Sequence, residues 1–266
     1  MATPIGNLED ITQRALRILR EVDLIACEDT RQTRKLLDHY GISKPQVSYH
    51  EHNELTRSNE LVTELVAGKN IALVSDAGTP LIADPGYRLV AAARGRGIAI
   101  SPIPGPSATL AALSASGLPT DQFMFHGFLP VKTTQRRKLL EGLKSSTATL
   151  VFYEAPHRIV EALEDMAGVF GSRPVVLARE LTKIHEEFLQ GTPAELAKTL
   201  SERPSIKGEI VVMVGKSEVA AADETPLEDA VEKLLLAGVP RMDALKAVAR
   251  ERGLSKREVY KKFNER

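Results

Sequence analysis

The sequence predicts an α/β protein: two α/β domains followed by a small C-terminal helical unit. Three observations carry that reading. Short β-branched runs alternate with amphipathic segments, the pattern of βα units around a largely parallel sheet. Turns rich in Gly and Pro stand at the ends of successive runs. After a polar, acidic stretch at 217–225 the β-runs stop and helical spacing takes over. The expected bounds are 1–117 and 118–216 for the α/β domains, 217–225 for a linker and 226–266 for the helical unit.

Strands are expected at 22–26, 46–49, 71–75, 98–103, 122–128, 149–154, 175–180 and 208–214, with helices between them. Asn7 can cap a helix whose apolar positions Leu8, Ile11, Ala15, Ile18 and Leu19 keep helical spacing. Asp84 before Pro85 and Thr192 before Pro193 give the cap-then-proline start of two others. Gly41, Gly68 and Gly97 sit where helices should stop. In the tail, Pro226, Gly238 with Pro240, and Gly253 with Ser255 divide three short helices. The last two resemble a helix-turn-helix; the simpler reading is a three-helix cap.

Composition narrows the function classes. A chain of 266 residues, 43 % apolar and 26 % charged, can bury a good core. Its apolar runs fall far short of the roughly 20 residues that span a bilayer, and MATPIGNLED lacks a secretory pattern, so a cytoplasmic protein is expected. A single cysteine, Cys27, excludes an internal disulfide framework, and neither it nor His50 with His52 keeps a zinc spacing, so no metal is expected. The formal charge is zero, yet residues 241–266 carry nine Lys and Arg against four Asp and Glu. That basic tail suits either a nucleic-acid contact or a solvated helical face. No GxxxxGK[ST] occurs, and the glycines of RGRG (94–97) precede a strand where a dinucleotide fingerprint follows one, so neither ATP hydrolysis nor a Rossmann cofactor is supported.

What recurs is a Gly/Pro turn at strand ends: TPIGN at 3–7, SDAGTPLIADPG at 75–86 and PIPGPSA at 102–108. Ligands of open α/β sheets bind there, because the strands hold the loops rigid while the loops vary. Asp76 can accept hydrogen bonds from a ribose or an amine. Ser107 can present a hydroxyl or cap the following helix.

These loops, with CEDTR (27–31), YHEHNE (49–54), SGLPTDQF (116–123), YEAPHR (153–158), ARELTKIHEE (178–187) and KGEI (207–210), make the chain closely resemble the ribosomal RNA small subunit methyltransferase I family of the tetrapyrrole methylase superfamily. The resemblance covers essentially the whole chain. It implies methyl transfer from S-adenosylmethionine to the ribose 2′-hydroxyl of a decoding-centre cytidine in 16S rRNA, presented by the small ribosomal subunit, by a cytoplasmic homodimer whose cofactor lies between two α/β domains. By motif, Asp76, Ala77, Gly78 and Thr79 match the cofactor loop, Ser107 and Ala108 a second contact, and Pro4, Ile5 and Gly6 the loop where cofactor and substrate meet. Tyr153, Glu154, Gly208 and Glu209 fall at strand ends facing the same cleft. Family members carry an apolar strand just before the TPIGN motif. Here only Met1, Ala2 and Thr3 precede Pro4, so a displaced start or a missing segment, with a weakened TPIGN loop, is expected.

Methyl transfer from a sulfonium needs alignment and removal of the hydroxyl proton. Candidate bases are Glu28, Asp29, Glu154, His157, Glu180, Lys183 and His185; Glu154, Glu180 and Lys183 are the expected catalytic set, with Lys183 envisaged as a lysine of lowered pKa beside Glu180. The competing reading makes Glu180 with Lys183 an ordinary ion pair. RNA contact is expected from Lys132, Arg136, Arg137 and Lys138 of KTTQRRK, which carries no acid at a helix start where the dipole favours acids. With no Trp and 5 % aromatics, extensive base stacking is not expected. The alternatives are a tetrapyrrole C-methyltransferase, and a DNA-binding regulator using the C-terminal helices.

Overall fold

The computed structural model describes residues 1–217, 227–251, 254–255, 259–260 and 263. Their contacts divide the chain into two compact units, Met1–Ser217 and Glu218–Arg266.

The first unit contains two sheets. A parallel sheet of order β2-β1-β3 is built from β1 (Leu24–Cys27), β2 (Gln46–Ser48) and β3 (Ile71–Val74). A second sheet of order β4-β5-β8-β6-β7 uses β4 (Phe123–Phe128), β5 (Thr149–Glu154), β6 (Val175–Arg179), β7 (Glu187–Gly191) and β8 (Ile210–Val214). The largely parallel expectation fails in this second sheet: only β4 and β5 are parallel, and the β5–β8, β6–β8 and β6–β7 pairs are antiparallel. Residues 180–186 are too short for a parallel crossover, so β6 must turn back on itself. That turn makes β7, a strand the sequence did not announce.

Helices α1 (Gln13–Glu21), α2 (Thr30–His39), α3 (Glu54–Val66) and α4 (Tyr87–Gly95) accompany the first sheet, and α6 (Thr133–Gly142), α7 (Ile159–Phe170) and α8 (Pro193–Ser201) the second. β5 and β8 are buried almost throughout, because side chains on both sheet faces are covered. One face meets α7 and α8 through Leu163, Met166 and Leu200. The other meets α5 (Ala108–Ala115), whose Ala112 and Leu113 pack on Val151, Val176 and Val211. A helix that follows the first sheet thus shares the core of the second.

Several local readings change. Residues 98–103 form no strand. Their cross-chain backbone bond, from the Ala2 N–H to the Ile103 carbonyl (3.2 Å), is too little for a ladder. On the other side the Met1 ammonium donates to the Leu73 carbonyl (2.9 Å), and Thr3 and Gly78 exchange both backbone bonds (2.9 and 3.0 Å). Met1–Thr3 therefore tie the TPIGN loop to β3 rather than leaving it unsupported. Asn7 caps only the 3₁₀ turn Leu8–Asp10; α1 starts later, under the Thr12 hydroxyl (3.1 Å to the Ala15 N–H). Asp84 caps nothing: Glu54 of α3 reaches across to accept from the Gly86 and Arg88 N–H groups (3.0 and 3.3 Å) and starts α4. Thr192 caps α8 in a full capping box, and Gly41, Gly68 and Gly97 follow α2, α3 and α4 with positive φ, as expected.

In the second unit, α9 (Leu227–Leu236) and α10 (Arg241–Glu251) bury Val231, Ala244, Leu245 and Val248 together with Val259. Residues 218–225 of the expected linker, Pro226 at the start of the expected helical unit, and most of the expected third helix lie outside the described residues. Among the described residues no helix is long and apolar enough to cross a membrane.

Candidate active site

Beyond β3 the chain folds over the sheet's carboxyl end, and its punctuation has a local cause at each step. Buried Ser75 offers its carbonyl to the Thr3 hydroxyl (3.0 Å). Gly78 holds φ +79°, a conformation that costs an L-residue about 1–2 kcal/mol. Thr79 donates to the Pro106 carbonyl (3.3 Å), which joins this loop to PIPGPSA. Asp76 Oδ1 accepts from the Asp29 N–H (3.0 Å), which joins it to the loop after β1. Farther on, Leu81 and Ala83 hold positive φ without being glycine, a strained pair of the kind that clusters at functional loops.

These loops and the strand ends of the second sheet enclose a cavity of about 430 Å³. Of the expected cofactor residues, Ile5, Asp76, Ala77, Gly78, Thr79, Ser107, Ala108, Tyr153 and Glu209 line it, as does Glu154. Ser107 also caps α5, and Tyr153 is held by the Thr109 hydroxyl (3.0 Å). The sequence reading missed Ile82, Asp84, Phe128 and Leu181, which line it too. A larger hollow of about 670 Å³ near Asp121 and Ser146 is an open surface depression, and Asp121 there is already paired with Lys216 (2.6 Å).

The cavity is anionic. Glu28, Asp76, Asp84, Glu154 and Glu209 line it, and no Lys, Arg or His does. Burial, then the charge of Glu28, pushes Asp84 up to about 6. Burial, then the neighbouring acids, raises Glu28 and Asp76 as well. A cation placed here would relieve all three. Among the described residues, no group of three or more acids, His or Cys is arranged to hold a metal ion.

Glu154 ends β5 almost fully buried. Its Oε1 takes the Ala155 N–H (2.7 Å) and pairs with Arg158 (2.5 Å), while Oε2 is buried with no partner. A buried acceptor left unpaired costs about 1–3 kcal/mol, so it marks a place where a ligand donor belongs.

Glu180 and Lys183 do not line the cavity; they brace it. Lys183 Nζ bonds Glu180 (2.8 Å) and Glu209 (2.9 Å). Glu180 Oε1 also takes the Glu209 N–H (3.1 Å). Burial lowers the Lys183 ammonium, but its two carboxylate partners outweigh that and leave it raised. The lysine of lowered pKa is therefore not found, since this one is held protonated. The same strut explains two glycines. A Cβ on Gly6 would strike the Lys183 stem, and one on Gly208, at φ +92°, would strike the Glu180 carboxyl. Neither Gly6 nor Gly208 faces the cavity, and Pro4 does not either.

Among the other candidate bases, only Glu28 reaches the cavity. Asp29 caps α2 (2.8 Å to the Arg31 N–H) and pairs with Arg31, whose hydrogen bond holds it down at about 2. His157 and His185 are exposed outside it.

The basic segment divides. Arg136 points inward, 1 % exposed, with Nε 2.6 Å from Asp165 and Nη1 toward the Val131 carbonyl (3.3 Å). It cannot meet RNA, because α6 turns that position onto α7. Arg137 is exposed but also bonds Asp165 (2.6 Å). Lys132 and Lys138 are exposed.

The sequence profile of the Tetrapyrrole (Corrin/Porphyrin) Methylases matches residues 2–197. The chain belongs to that family. A protein of Halalkalibacterium halodurans named Ribosomal RNA small subunit methyltransferase I is 49 % identical, over all of this chain and 93 % of that one. Its namesake in Vibrio cholerae is 51 % identical, over 97 % of this chain and 91 % of its own length. Among solved structures, diphthine synthase superposes with a TM-score of 0.63 at 17 % identity, over 80 % of this chain and 87 % of that one. A uroporphyrin-III-C-methyltransferase from Thermus thermophilus gives 0.57 at 22 %, over 80 % and 91 %. These two show the fold alone. As a tetrapyrrole methylase the protein is a methyltransferase whose cofactor is S-adenosylmethionine. The cavity fits that cofactor. Its volume lies in the roughly 300–1,000 Å³ range of ligand sites, its walls are apolar at Ile5, Ala108, Leu181 and Val211, and its carboxylates suit a sulfonium and an ammonium.

Proposed function

We propose that this chain methylates the ribose 2′-hydroxyl of a decoding-centre cytidine in 16S rRNA, acting on the small ribosomal subunit in the cytoplasm as a homodimer. The anionic, partly apolar cavity with one unpaired buried acceptor carries this reading. The names of the relatives fix its substrate class. S-adenosylmethionine, when bound, supplies an electrophilic methyl group on a sulfonium.

The chain's own residues do the rest. Asp76, Asp84 and Glu28 hold the cationic part of the cofactor, and the Ser75–Thr79 and Pro106–Ala108 loops wall its apolar part. Glu154 Oε2 accepts the proton of the 2′-hydroxyl as the oxygen gains its methyl group, a role that typically contributes 10²–10⁴-fold. Lys183 and Glu180 fix the Glu209 wall. Lys132, the N-cap of α6, with Arg137 and Lys138 farther along it, take RNA phosphates. Transfer of labelled methyl groups to unmethylated small subunits and, in parallel, to naked 16S rRNA tests this. An alkali-resistant linkage at a decoding-centre cytidine is expected. Transfer to neither would overturn the reading and bring forward a porphyrin-like substrate.

A further inference from the structure

The rim of the cavity carries an aromatic side chain for which the fold has gone to some structural trouble. β4 pairs in register with β5 from Phe123 to Phe125, and the register then shifts, so that Phe125 faces Val151 while Phe128 faces Tyr153. Three steps on one strand match two on the other. The extra residue is absorbed at His126–Gly127, with Gly127 at φ +65°, the left-handed conformation that a glycine supplies in one class of β-bulge. Strict alternation would put Phe128 on the sheet face opposite Phe125. The bulge brings it to the same face. Both rings meet Tyr153 edge-on, with centroids 4.9 and 5.6 Å away. Phe125 lies inside; Phe128 is 58 % exposed and lines the cavity mouth, as does Ile82, 46 % exposed.

Charge fixes what such a ring would meet. The cavity's acids repel phosphate, whereas Lys132, exposed and with no ion-pair partner among the described residues, follows Phe128 by four residues, a reach of at most about 14 Å. A nucleotide can then lie with its ribose in the cavity mouth and its phosphate outward toward α6. The remaining part, the base, falls on the apolar rim.

We infer that Phe128 is a stacking platform for the nucleobase of the methylated nucleotide, with Ile82 beside it. This rests on the rRNA reading above. One stacked base is compatible with a chain poor in aromatics, and such a contact changes affinity by about 5- to 150-fold.

The absence of Trp from the sequence gives a direct probe. Phe128→Trp introduces a single indole, and its fluorescence is expected to be quenched by unmodified 16S rRNA. Leu55→Trp, an exposed position of α3 outside the cavity lining, is expected not to respond. In kinetics, Phe128→Ala should raise the KM for RNA about 10-fold, well beyond any change in the affinity for S-adenosylmethionine, Phe128→Trp should restore it, and Phe128→Leu should not. A wild-type enzyme that methylates rRNA, with Phe128→Trp unquenched and Phe128→Ala normal in KM, would overturn the platform alone. A wild type that methylates no rRNA would remove the reading on which it rests. Equal rescue by Leu would reduce the site to simple apolar packing and overturn stacking.

Discussion

Removing the Asp165 charge should unfold this protein far more readily than removing any basic group of the 132–138 segment. Asp165 and Arg136 are 4 % and 1 % exposed at the side chain, with Nε and Oδ2 2.6 Å apart. Asp165→Asn leaves a buried guanidinium facing carbonyls, a hydroxyl and only the long pair to the exposed Glu161 carboxylate (3.6 Å), and breaking a buried pair this way costs about 3–5 kcal/mol. Arg136→Met is milder, about 2–3 kcal/mol, because Asp165 keeps Arg137 and the lost interactions are charge-assisted hydrogen bonds. Arg137→Met removes a 61 % exposed arm and should cost about 0–1 kcal/mol. Urea unfolding measures all three. With a slope of about 2–3 kcal/mol per molar, the midpoint falls by about 1–2.5 M for Asp165→Asn. Salt-dependent rRNA binding of the folded variants completes the test: Arg136→Met should leave the slope unchanged, while Lys132→Ala should lower it by roughly 0.7–0.9 if the lysine neutralises one phosphate. An Arg136 variant as stable as Arg137→Met, with rRNA affinity lost, would refute the inward placement.

Asp84 gives a pH signature. Its folded pKa of about 6 lies above the ordinary 3.8, so the fold holds that proton more tightly than the unfolded chain does. Stability from this group is therefore fully present below about pH 4 and is lost as pH rises through 6. Asp84→Asn should raise the melting temperature at pH 7.5 and not at pH 4, while weakening S-adenosylmethionine; a lower melting temperature at pH 7.5 would contradict the burial argument. Lys183→Met should weaken cofactor binding on the order of 10-fold, by freeing Glu209, yet keep the ascending limb of the pH–rate profile, the one a general base produces. Loss of that limb would make Lys183 a base after all. Gly208→Ala should cost about 1–2 kcal/mol in backbone conformation alone, plus displacement of Glu180. Adding Glu180→Ala should recover part of the loss in unfolding experiments, and strict additivity would argue that the two residues do not touch.

The strands of the second sheet were legible where burial on both faces writes a continuous apolar run, as in β5 and β8. β7 was not, since an edge strand with half-buried Glu187, Phe188 and Leu189 carries no such run. Residues 98–103 show the converse: the segment is apolar, yet only Ile103 is buried in it, and a strand also needs a partner's backbone. Residues of the three Gly/Pro loops line the cavity, and the turns themselves were legible because turn chemistry is local. Gly6 and Gly208 were misread for a reason sequence does not contain. A glycine announces that something approaches closely, and here the visitor is the protein's own Lys183 or Glu180 rather than a ligand. Asp84 was masked by its place before a proline, which suggested a cap, while Glu54, thirty residues upstream, took that role. Phe128 was hidden by a one-residue bulge whose sequence trace is Gly127.

Charge separation lets one site serve two ligands of opposite sign. An acidic cavity inside a protein of zero formal charge binds a cationic cofactor but opposes a polyanion. RNA can therefore approach productively only with its backbone held away from the mouth. In the proposed function Lys132, the exposed N-cap of α6, and Lys138, exposed farther along the helix, supply that hold, Lys132 standing where a helix would ordinarily favour an acid. Once the methyl group has moved and Glu154 has released its proton to solvent, the sulfonium charge is gone while the five carboxylates remain. The cavity then loses its main electrostatic reason to retain the spent cofactor. Affinity for S-adenosylmethionine should accordingly exceed that for S-adenosylhomocysteine above pH 6, and the ratio should shrink below it as Asp84 takes up its proton. Calorimetric titration of both compounds at pH 5 and pH 8 decides the matter, and a ratio indifferent to pH would place the sulfonium away from Asp84.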